Sequence, residues 1–214
     1  MTRVLIAAAG DGSRWRNHRG TSKHLAVIND EVLLHRTCQQ FLRYTSDVVV
    51  VGAHSGYTVP NTELFVPPPS DPNWLDLGKF LSSRHLWATA ERTVVAFGDV
   101  YFTDEAIDTI MTSTKDWIFF LRPGPSSVMQ ARREVFAVAF DPSAHELLDL
   151  RMGELTKHRV AQSAGAWRLY ADLVRPSYGD IFRNDRHVKV DDLTTDLDYP
   201  KDIDVLELAL RTRS

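Results

Sequence analysis

Short apolar runs alternate along the chain with stretches in which apolar residues recur at helical spacing. Runs rich in β-branched or aromatic residues predict strands at residues 4–9, 47–51, 93–97, 117–121, 134–140 and 187–190. Helical spacing predicts helices at residues 31–44, 77–91, 104–111, 154–174 and 199–210, and a further helix that begins near Pro142. Prolines at positions 60, 67, 68, 69 and 72 predict a long loop over residues 54–74, with a short extended piece at 64–66.

This alternation predicts an α/β fold with a single domain over residues 1–214. Strands that alternate with helices form an open, mostly parallel sheet with helices on both faces, which is a three-layer α/β/α arrangement. A chain of 214 residues fits one ordinary domain. Such sheets place ligands beyond the carboxyl ends of their strands, so residues that directly follow a strand are the first candidates for a site.

Composition and charge exclude several classes of function. Hydrophobic residues make up 43% and charged residues 25% of the chain, as in ordinary folded proteins. The formal net charge of -3 gives no general attraction to nucleic acid or to a membrane, so we expect neither as a partner. The single cysteine, Cys38, lies in a helical pattern and is predicted to be a buried structural thiol. We therefore expect a cytoplasmic protein, whose apolar start is a first strand and not a signal peptide.

The first predicted strand runs into a loop that is rich in glycine and positive charge. Gly10 and Gly12 allow positive φ angles and a close approach of the backbone to a ligand, and their N–H groups can bind an anion. Positive charge follows at Arg14, Arg16, Arg19 and Lys23. The loop favours a phosphate site, although a plain turn and a solvated loop explain the same residues. It lacks the dinucleotide fingerprint, because Trp15 stands at the third glycine, and it lacks the Walker motif.

The strand at residues 93–97 runs into Gly98 and Asp99. A carboxylate at a strand end is well placed to bind Mg²⁺, which usually takes one or two carboxylates together with substrate phosphates. The alternative is that Asp99 caps the turn that follows. Asp104 is predicted to be a first-turn acid of the next helix, where the helix dipole favours negative charge.

Carboxylates are concentrated in a third stretch, VDDLTTDLDYPKDID, before the last predicted helix. Asp202 and Asp204 fall in the first turn of that helix, where acids are favoured whatever the function. In an extended segment the side chains of Asp196 and Asp198 point the same way. Together with Asp99, these two residues are candidates for a metal site.

Three segments, AAAGDGSR with Lys23, AFGDVYF and DLDYPKDI, together resemble the ordered motifs of nucleotidyltransferases that activate small phosphorylated compounds. This superfamily includes sugar-phosphate nucleotidyltransferases and molybdenum-cofactor guanylyltransferase-like proteins. Its motifs read roughly AAGxGxRxxxxxPK, GD at a strand end, and DIDTPEDL. The resemblance covers nearly the whole chain, and it implies a Rossmann-like, GT-A-type fold with a mostly parallel mixed sheet.

The resemblance also implies roles for individual residues. Arg14 and Lys23 would be the catalytic residues, because Arg14 would contact the phosphates of the nucleotide and Lys23 would stabilise the charge of the reacting phosphate. Asp99 would bind a Mg²⁺ cofactor, with Asp196 or Asp198 as the second carboxylate. The expected nucleotide-binding residues are Ala8, Ala9, Gly10, Asp11, Gly12, Ser13, Arg14, Lys23, Ser82 and Ser83.

The chain departs from the family motifs at three positions. Ser22 stands where the family has proline, and Tyr199 and Lys201 stand where it has threonine and glutamate. The first departure removes a rigid residue beside Lys23 without removing charge. The other two leave open whether Asp196 or Asp198 binds the metal.

The implied function is transfer of a nucleoside monophosphate from a nucleoside triphosphate to a small phosphorylated acceptor, with release of pyrophosphate. Two rivals stay open: a GT-A-type glycosyltransferase with a nucleotide-sugar donor, and a non-catalytic nucleotide-binding homologue. Glycosyltransferases usually carry an Asp-x-Asp pair, whereas this chain has Asp99 followed by Val100 and Tyr101. Three arginines are either ligands of the acceptor's phosphate or solvated surface residues: Arg122, Arg132 and Arg133. The sequence does not identify the acceptor, the base or the oligomeric state.

Overall fold

The computed structural model describes residues 1–9, 14–16, 18–67, 77, 80–81, 83–89, 91–124, 133–157, 165–174 and 184–213. The strands of this part are β1 (Arg3–Ala7), β2 (Val27–Ile28), β3 (Glu31–Val32), β4 (Val48–Val51), β5 (Glu63–Phe65), β6 (Thr93–Phe97), β7 (Val100–Tyr101), β8 (Trp117–Arg122), β9 (Glu134–Phe140), β10 (His187–Lys189) and β11 (Thr195–Asp196). Its helices are α1 (Leu33–Leu42), α2 (Asp104–Thr112), α3 (His145–Lys157), α4 (Ala166–Val174) and α5 (Lys201–Arg213). The predicted alternation of strands and helices is confirmed.

Seven strands form one mixed sheet in the order β10-β8-β9-β6-β1-β4-β5. The pairs β1–β4, β1–β6, β4–β5 and β8–β10 are parallel, whereas β9 is antiparallel to both β6 and β8. The start of β9 therefore lies at the same edge as the carboxyl ends of its neighbours. The loops after β1 and β6 leave the sheet at this edge, as expected for an α/β sheet.

A separate two-stranded pair joins β7 with β11 in antiparallel register. Thr195 lies opposite Tyr101, and Asp196 lies opposite Val100. The sequence pattern does not predict this pair, because strands of two residues have no measurable periodicity. The pair brings the segment after Asp99 against the segment that contains Asp196, so it decides the geometry of the site.

Two apolar clusters cover the two faces of the large sheet, because alternate strand residues point to opposite faces. Val4 of β1 packs in one cluster with Phe41 of α1, and the next residue, Leu5, packs in the other cluster with Leu148 of α3. This is the predicted three-layer arrangement. Cys38 is fully buried in the first cluster, and burial raises the pKa of its thiol to about 12, as expected for a structural cysteine.

The helix predicted at residues 77–91 is wrong over its second half. Residues 77, 80 and 81 are helical, but Arg84–Leu86 form a 3-10 turn and Trp87 is extended, with φ -63° and ψ 137°. The Trp87 ring packs against the rings of Phe140 and His145, with centroid distances of 4.9 Å and 5.2 Å. Burial of this large side chain ends the helix and overrides the local apolar spacing.

The single helix predicted at residues 154–174 is also wrong, since α3 ends at Lys157 and α4 begins at Ala166. The carbonyl oxygen of Gly165 accepts a hydrogen bond from Arg168 N at 2.9 Å. Gly165 therefore marks the start of a second helix. No helix in the described part of the chain is long and apolar enough to cross a membrane.

Candidate active site

The three predicted motifs meet in one cavity at the carboxyl edge of the sheet. The cavity has a volume of about 260 Å³. It is lined by residues of β1 and the loop after it, the turn after β6, the start of β9, the start of α4 and the segment around β11: Ala7, Arg14, Lys23, His24, Phe97, Asp99, Val100, Arg133, Glu134, Val135, Gly165, Ala166, Trp167, Asp196 and Asp198. All five charged residues for which we predicted catalytic or metal-binding roles lie in this lining.

The β7–β11 pair fixes the second and third motifs against each other. Asp196 lies opposite Val100, and Leu197 N donates a hydrogen bond to the carbonyl oxygen of Asp99 at 2.9 Å. Because these are backbone contacts, the separation of the Asp99 and Asp196 side chains is set by the strand ladder. The two carboxylates are thereby held at the same cavity before any ligand binds.

Asp202 stabilises the loop between β11 and α5. Its carboxylate accepts hydrogen bonds from the backbone N–H groups of Asp198 at 3.0 Å and Tyr199 at 2.7 Å. Asp202 therefore has the structural role predicted for a first-turn acid. It also holds the backbone of Asp198, whose side chain faces the cavity.

Trp15 anchors the loop after β1. Its ring is buried, and its Nε1 donates a hydrogen bond to the carbonyl oxygen of Thr21 at 3.0 Å. The preceding residue, Arg14, forms an ion pair with the carboxylate of Asp198, although 58% of the Arg14 side chain is exposed. Its guanidinium group is accordingly accessible to a ligand in the cavity.

Lys23 contacts the carboxylate of Asp99 directly. Burial lowers the pKa of the Lys23 ammonium group, but the charge and hydrogen bond of Asp99, with smaller effects of Asp198 and Asp196, outweigh burial and raise the pKa. Lys23 is therefore positively charged throughout the neutral range. The structure brings together a fixed cation and a carboxylate, the two groups that the motifs predicted.

Gly98 allows this close arrangement because a side chain there would make tight contacts with its neighbours. A Cβ atom at this position would lie 3.2 Å from the carbonyl oxygen of Ala7 and 3.3 Å from the ring of His24. The backbone before Asp99 is thus packed against both β1 and the Lys23 segment. A glycine therefore suits this position, because it leaves room for the neighbouring segments.

A buried ion pair stands behind Asp196. Arg122 Nη2 lies 2.5 Å from Glu134 Oε2, and Glu134 in turn forms a hydrogen bond with Asp196. Arg122 also donates hydrogen bonds to the carbonyl oxygen of Thr194 at 2.8 Å and to Thr195 Oγ1 at 3.2 Å. These contacts join β8, β9 and β11 in one polar network.

The surroundings of the buried carboxylates in the cavity disfavour their charged forms. Burial raises the pKa of Asp196 well above its usual value, and Glu134 and Asp99 raise it further. Burial and the charge of Asp196 raise the pKa of Asp198 to about 6, against the opposing effects of Arg14 and Lys23. Burial also raises the pKa of Glu134. A bound cation would favour the charged forms of these carboxylates.

The structure adds lining residues that sequence reasoning missed, chiefly Glu134, His24 and Trp167. Glu134 opens an apolar strand, and only the reversed direction of β9 places it at the ligand-binding edge. The sequence pattern does not report strand direction. The guanidinium group of Arg133 lies 5.4 Å from the centroid of the Trp167 ring, and both residues form one wall of the cavity.

Arg122 and Arg133, two of the three arginines considered as acceptor ligands, have different environments in the structure. Arg122 is neither a surface residue nor an acceptor ligand, because its side chain is 2% exposed and paired with Glu134. Arg133 does line the cavity. Arg132 lies outside the described residues.

Comparison with known proteins agrees with the motifs at the level of the fold. Neither a protein-family model nor a curated protein matches the chain. Among solved structures, a candidate glucose-1-phosphate thymidylyltransferase from Bacillus anthracis is similar with a TM-score of 0.62 at 12% identity, over 99% of this chain and 96% of that one. A CTP:phosphocholine cytidylyltransferase from Streptococcus pneumoniae is similar with a TM-score of 0.62 at 13% identity, over 98% and 99%.

A third similar structure is Rv0371c from Mycobacterium tuberculosis H37Rv, with a TM-score of 0.64 at 15% identity over 97% of both chains. The chain has the nucleotidyltransferase fold. The fold class predicted from the alternating pattern and from the motif resemblance is confirmed. The nucleotidyltransferase fold extends over nearly all of the chain and of each similar structure.

Three of the other predicted nucleotide-binding residues are described by the structure, and none of the three is among the cavity-lining residues. Ala8 and Ala9 directly follow β1, whose last residue, Ala7, is part of the lining. Ser83 is buried, and its Oγ donates a hydrogen bond to the carbonyl oxygen of Phe80 at 3.0 Å. The remaining predicted residues lie outside the described part of the chain: Gly10, Asp11, Gly12, Ser13 and Ser82. Their contacts with a nucleotide stay predictions.

The residues of this cavity fit Mg²⁺ in their chemistry. Asp99, Asp196 and Asp198 supply the hard oxygen ligands that Mg²⁺ prefers. Within the described residues, no group of three or more acidic, histidine or cysteine side chains is already arranged as a metal site. This is compatible with Mg²⁺, because that ion usually takes one or two carboxylates and completes its coordination with water and substrate phosphates.

Proposed function

We propose that the chain is a nucleotidyltransferase that transfers a nucleoside monophosphate from a nucleoside triphosphate to a small phosphorylated acceptor and releases pyrophosphate. The observation that carries the proposal is the contact of Lys23 with Asp99 in a cavity that Arg14 and Asp198 also enter. Cations and carboxylates at one cavity suit a substrate that brings both phosphate charge and a bound divalent ion. The fold shared with the similar structures supports this class of reaction.

The acceptor is expected to carry a phosphate. Two of the similar structures are named for glucose 1-phosphate and phosphocholine, which are both phosphate monoesters. A phosphate oxygen of such an acceptor would attack the α-phosphorus of the nucleotide, and the bond from that phosphorus to the oxygen bridging to the β-phosphorus would break. The electron pair of that bond leaves with pyrophosphate. No side chain has to remove a proton, because the attacking phosphate is already ionised.

The residues of the cavity would act by position and charge. Arg14, which is accessible, would bind the phosphates of the nucleotide. Lys23 would stabilise the negative charge that moves during the reaction, since a preorganised cation in a partly buried site acts strongly on such charge. Phosphoryl transfer requires little covalent chemistry from a protein, so these roles account for most of the catalysis.

Asp99, with Asp198 or Asp196, would hold Mg²⁺. When bound, Mg²⁺ supplies Lewis-acid stabilisation of charge on the phosphate oxygens. The contact with Lys23 holds the Asp99 carboxylate at the cavity. The hydrogen bond between Leu197 and the Asp99 carbonyl keeps the second carboxylate segment in register with it.

The residue two positions after Asp99 favours nucleotidyl transfer over glycosyl transfer from a nucleotide sugar. Two residues beyond Asp99 the chain has Tyr101, which is buried in β7 and packs beneath the guanidinium group of Arg36 at 4.2 Å. The second acid of an Asp-x-Asp pair is therefore replaced by a core residue. The two cations Lys23 and Arg14, which both line the cavity, also suit a departing pyrophosphate better than a nucleoside diphosphate.

The experiment that tests the proposal is a pyrophosphate assay across a matrix of substrates. The protein would be incubated with Mg²⁺, each common nucleoside triphosphate and a panel of phosphorylated sugars and alcohols. We expect pyrophosphate release that depends on one class of acceptor. Nucleoside diphosphate formed from a nucleotide sugar, with no pyrophosphate from any triphosphate, would replace the proposal by the glycosyltransferase.

Two aspartate variants serve as a matched pair in this assay. Asp99→Asn removes a carboxylate charge from the cavity with little change of shape, and we expect it to reduce turnover to background. Asp104→Asn removes a charge at the start of α2, where Asp104 pairs with Arg43 away from the cavity, and we expect near wild-type turnover. Circular dichroism and thermal unfolding check that both variants keep the fold. Full activity of Asp99→Asn at saturating Mg²⁺ would contradict its assignment.

A further inference from the structure

Three side chains bring their polar atoms within hydrogen-bonding distance of one another next to Lys23. Ser22 Oγ lies 2.7 Å from Tyr57 Oη and 3.1 Å from His24 Nδ1, and His24 Nδ1 lies 2.8 Å from Tyr57 Oη. His24 and Tyr57 are buried, with 1% and 3% of their surface exposed, and their rings meet edge to face at 5.4 Å. We call this set the Ser22–His24–Tyr57 triangle.

The triangle holds the residues on both sides of Lys23. The segment Lys23–Leu25 is a short 3-10 turn, closed by a hydrogen bond from Leu25 N to the carbonyl oxygen of Ser22 at 2.9 Å. Ser22 and His24 direct their side chains to Tyr57, whereas Lys23 directs its ammonium group to Asp99. Fixing the two neighbours fixes the direction in which the Lys23 side chain leaves the backbone.

Tyr57 is itself held in place in the loop after β4. It closes a 3-10 turn, Ser55–Tyr57, in which His54 Nδ1 accepts a hydrogen bond from Gly56 N at 3.0 Å. A Cβ atom on Gly52, just after β4, would lie only 2.6 Å from the Tyr57 ring. The ring therefore packs directly on the backbone, so Tyr57 is a fixed support for the Lys23 segment.

The same triangle reaches the second motif. The His24 ring lies 3.3 Å from the position of a Cβ atom on Gly98. Gly98 N donates a hydrogen bond to the carbonyl oxygen of Ala7 at 2.9 Å. His24 is thus packed against the turn that carries Asp99, and a shift of His24 would change the relative position of Lys23 and Asp99.

The backbone at Ser22 has the geometry of a proline. Its φ of -62° and ψ of 145° match the φ near -65° that a proline ring imposes, and the related motif has proline at this position. Serine has no ring to hold this angle. We propose that the Ser22–His24–Tyr57 triangle is a positioning device for Lys23, which fixes by side-chain hydrogen bonds the backbone that a proline would fix covalently. This inference rests on the proposed function, because it assigns the triangle to the reaction of Lys23.

Four variants test the positioning role in the pyrophosphate assay. Tyr57→Phe and Ser22→Ala each remove one hydroxyl group, and we expect kcat to fall on the order of 10- to 100-fold while KM for the triphosphate changes less than about threefold. Ser22→Pro restores the φ constraint, so we expect kcat within about threefold of wild type. The matched control is Tyr44→Phe, which removes an exposed hydroxyl that binds Asp108 at 3.2 Å; we expect no change in kcat.

Two outcomes would overturn the inference. A lowered melting temperature for Tyr57→Phe with unchanged kcat would make the triangle purely structural. Equal loss of kcat in Ser22→Pro and Ser22→Ala would mean that the backbone angle at Ser22 is not what matters. A defect in nucleotide binding is recognised separately, because it would raise KM for the triphosphate more than it lowers kcat.

A crystal structure of the Tyr57→Phe variant beside that of the wild type separates this inference from the proposed function. We expect the Lys23 ammonium group to leave Asp99 in the variant. Persistence of the Lys23–Asp99 contact in both structures would contradict the positioning role, whether or not the protein is active. Absence of turnover in the wild type with every substrate pair would instead contradict the proposed function.

Discussion

At the level of single residues, opposite charges hold one another in place at the cavity. Lys23 contacts Asp99, and Arg14 contacts Asp198. A triphosphate with Mg²⁺ offers each of these groups a new partner of the right sign, phosphate for the cations and the metal for the carboxylates. Substrate binding would therefore exchange ion pairs and would not leave an isolated charge buried, which keeps its electrostatic cost low.

Substitution of Lys23 tests its proposed role in the reaction. Lys23→Ala is expected to lower the single-turnover rate by about 100-fold or more, because a preorganised cation acts mainly on charge that develops in the transition state. The dissociation constant of the triphosphate, measured by calorimetry, is expected to rise much less. If the single-turnover rate and the affinity for the triphosphate fell by the same factor, Lys23 would be a binding residue only. Arg14→Ala, by contrast, is expected to weaken binding as well.

Substitution of Asp198 and Asp196 identifies the second metal ligand. The Asp196 side chain interacts with Glu134, whereas the Asp198 side chain forms an ion pair with the exposed Arg14. We therefore expect Asp198→Asn to raise the Mg²⁺ concentration needed for half-maximal rate more than Asp196→Asn does. The check is a Mg²⁺ titration of initial rates for both variants. If neither variant changes the Mg²⁺ requirement, the third motif is structural.

At the level of elements, the β7–β11 pair and the Arg122–Glu134 ion pair together build the third motif into the sheet. Arg122 comes from the end of β8 and Glu134 from the start of β9. The other partners of Arg122, which are Thr194 and Thr195, come from the segment at β11. The ion pair is buried, so removal of one partner leaves an uncompensated charge in the protein interior. Such losses are large.

Arg122→Met is accordingly expected to lower the free energy of unfolding by about 3–5 kcal/mol, measured by urea denaturation. The matched control is Arg84→Met, which breaks an ion pair with Asp149 in which the arginine side chain is 56% exposed. That change is expected to cost less than about 1 kcal/mol. Equal costs for the two variants would contradict the structural role of Arg122.

The elements also show which parts of the site the sequence can predict. Asp99 is predictable because it follows a strand closely, where the fold class places ligands. Lys23 is predictable because the motif resemblance includes it. Glu134 and Arg122 are not, because their roles depend on the direction of β9 and on contacts between distant segments. Arginine is also rarely buried, so a surface position is the ordinary expectation for Arg122. The same limit explains the wrong helix at residues 77–91, which tertiary packing of Trp87 overrides.

At the level of the whole molecule, one edge of one sheet gathers the functional groups. The loops after β1 and β6, the start of β9 and the segment around β11 all meet there, while two apolar clusters stabilise the opposite faces of the sheet. A rigid core thus supports a cavity built from loops and strand ends. This division fits an enzyme that acts mainly by positioning its substrates.

The most direct test of the proposed function follows the α-phosphorus of the nucleotide. The protein would receive a nucleoside triphosphate labelled at that atom, Mg²⁺ and the acceptor found by the substrate matrix. We expect the label to appear in a nucleotide–acceptor conjugate, with one pyrophosphate released for each molecule formed and none formed by Asp99→Asn. A labelled nucleoside diphosphate or free monophosphate in place of the conjugate would contradict nucleotidyl transfer.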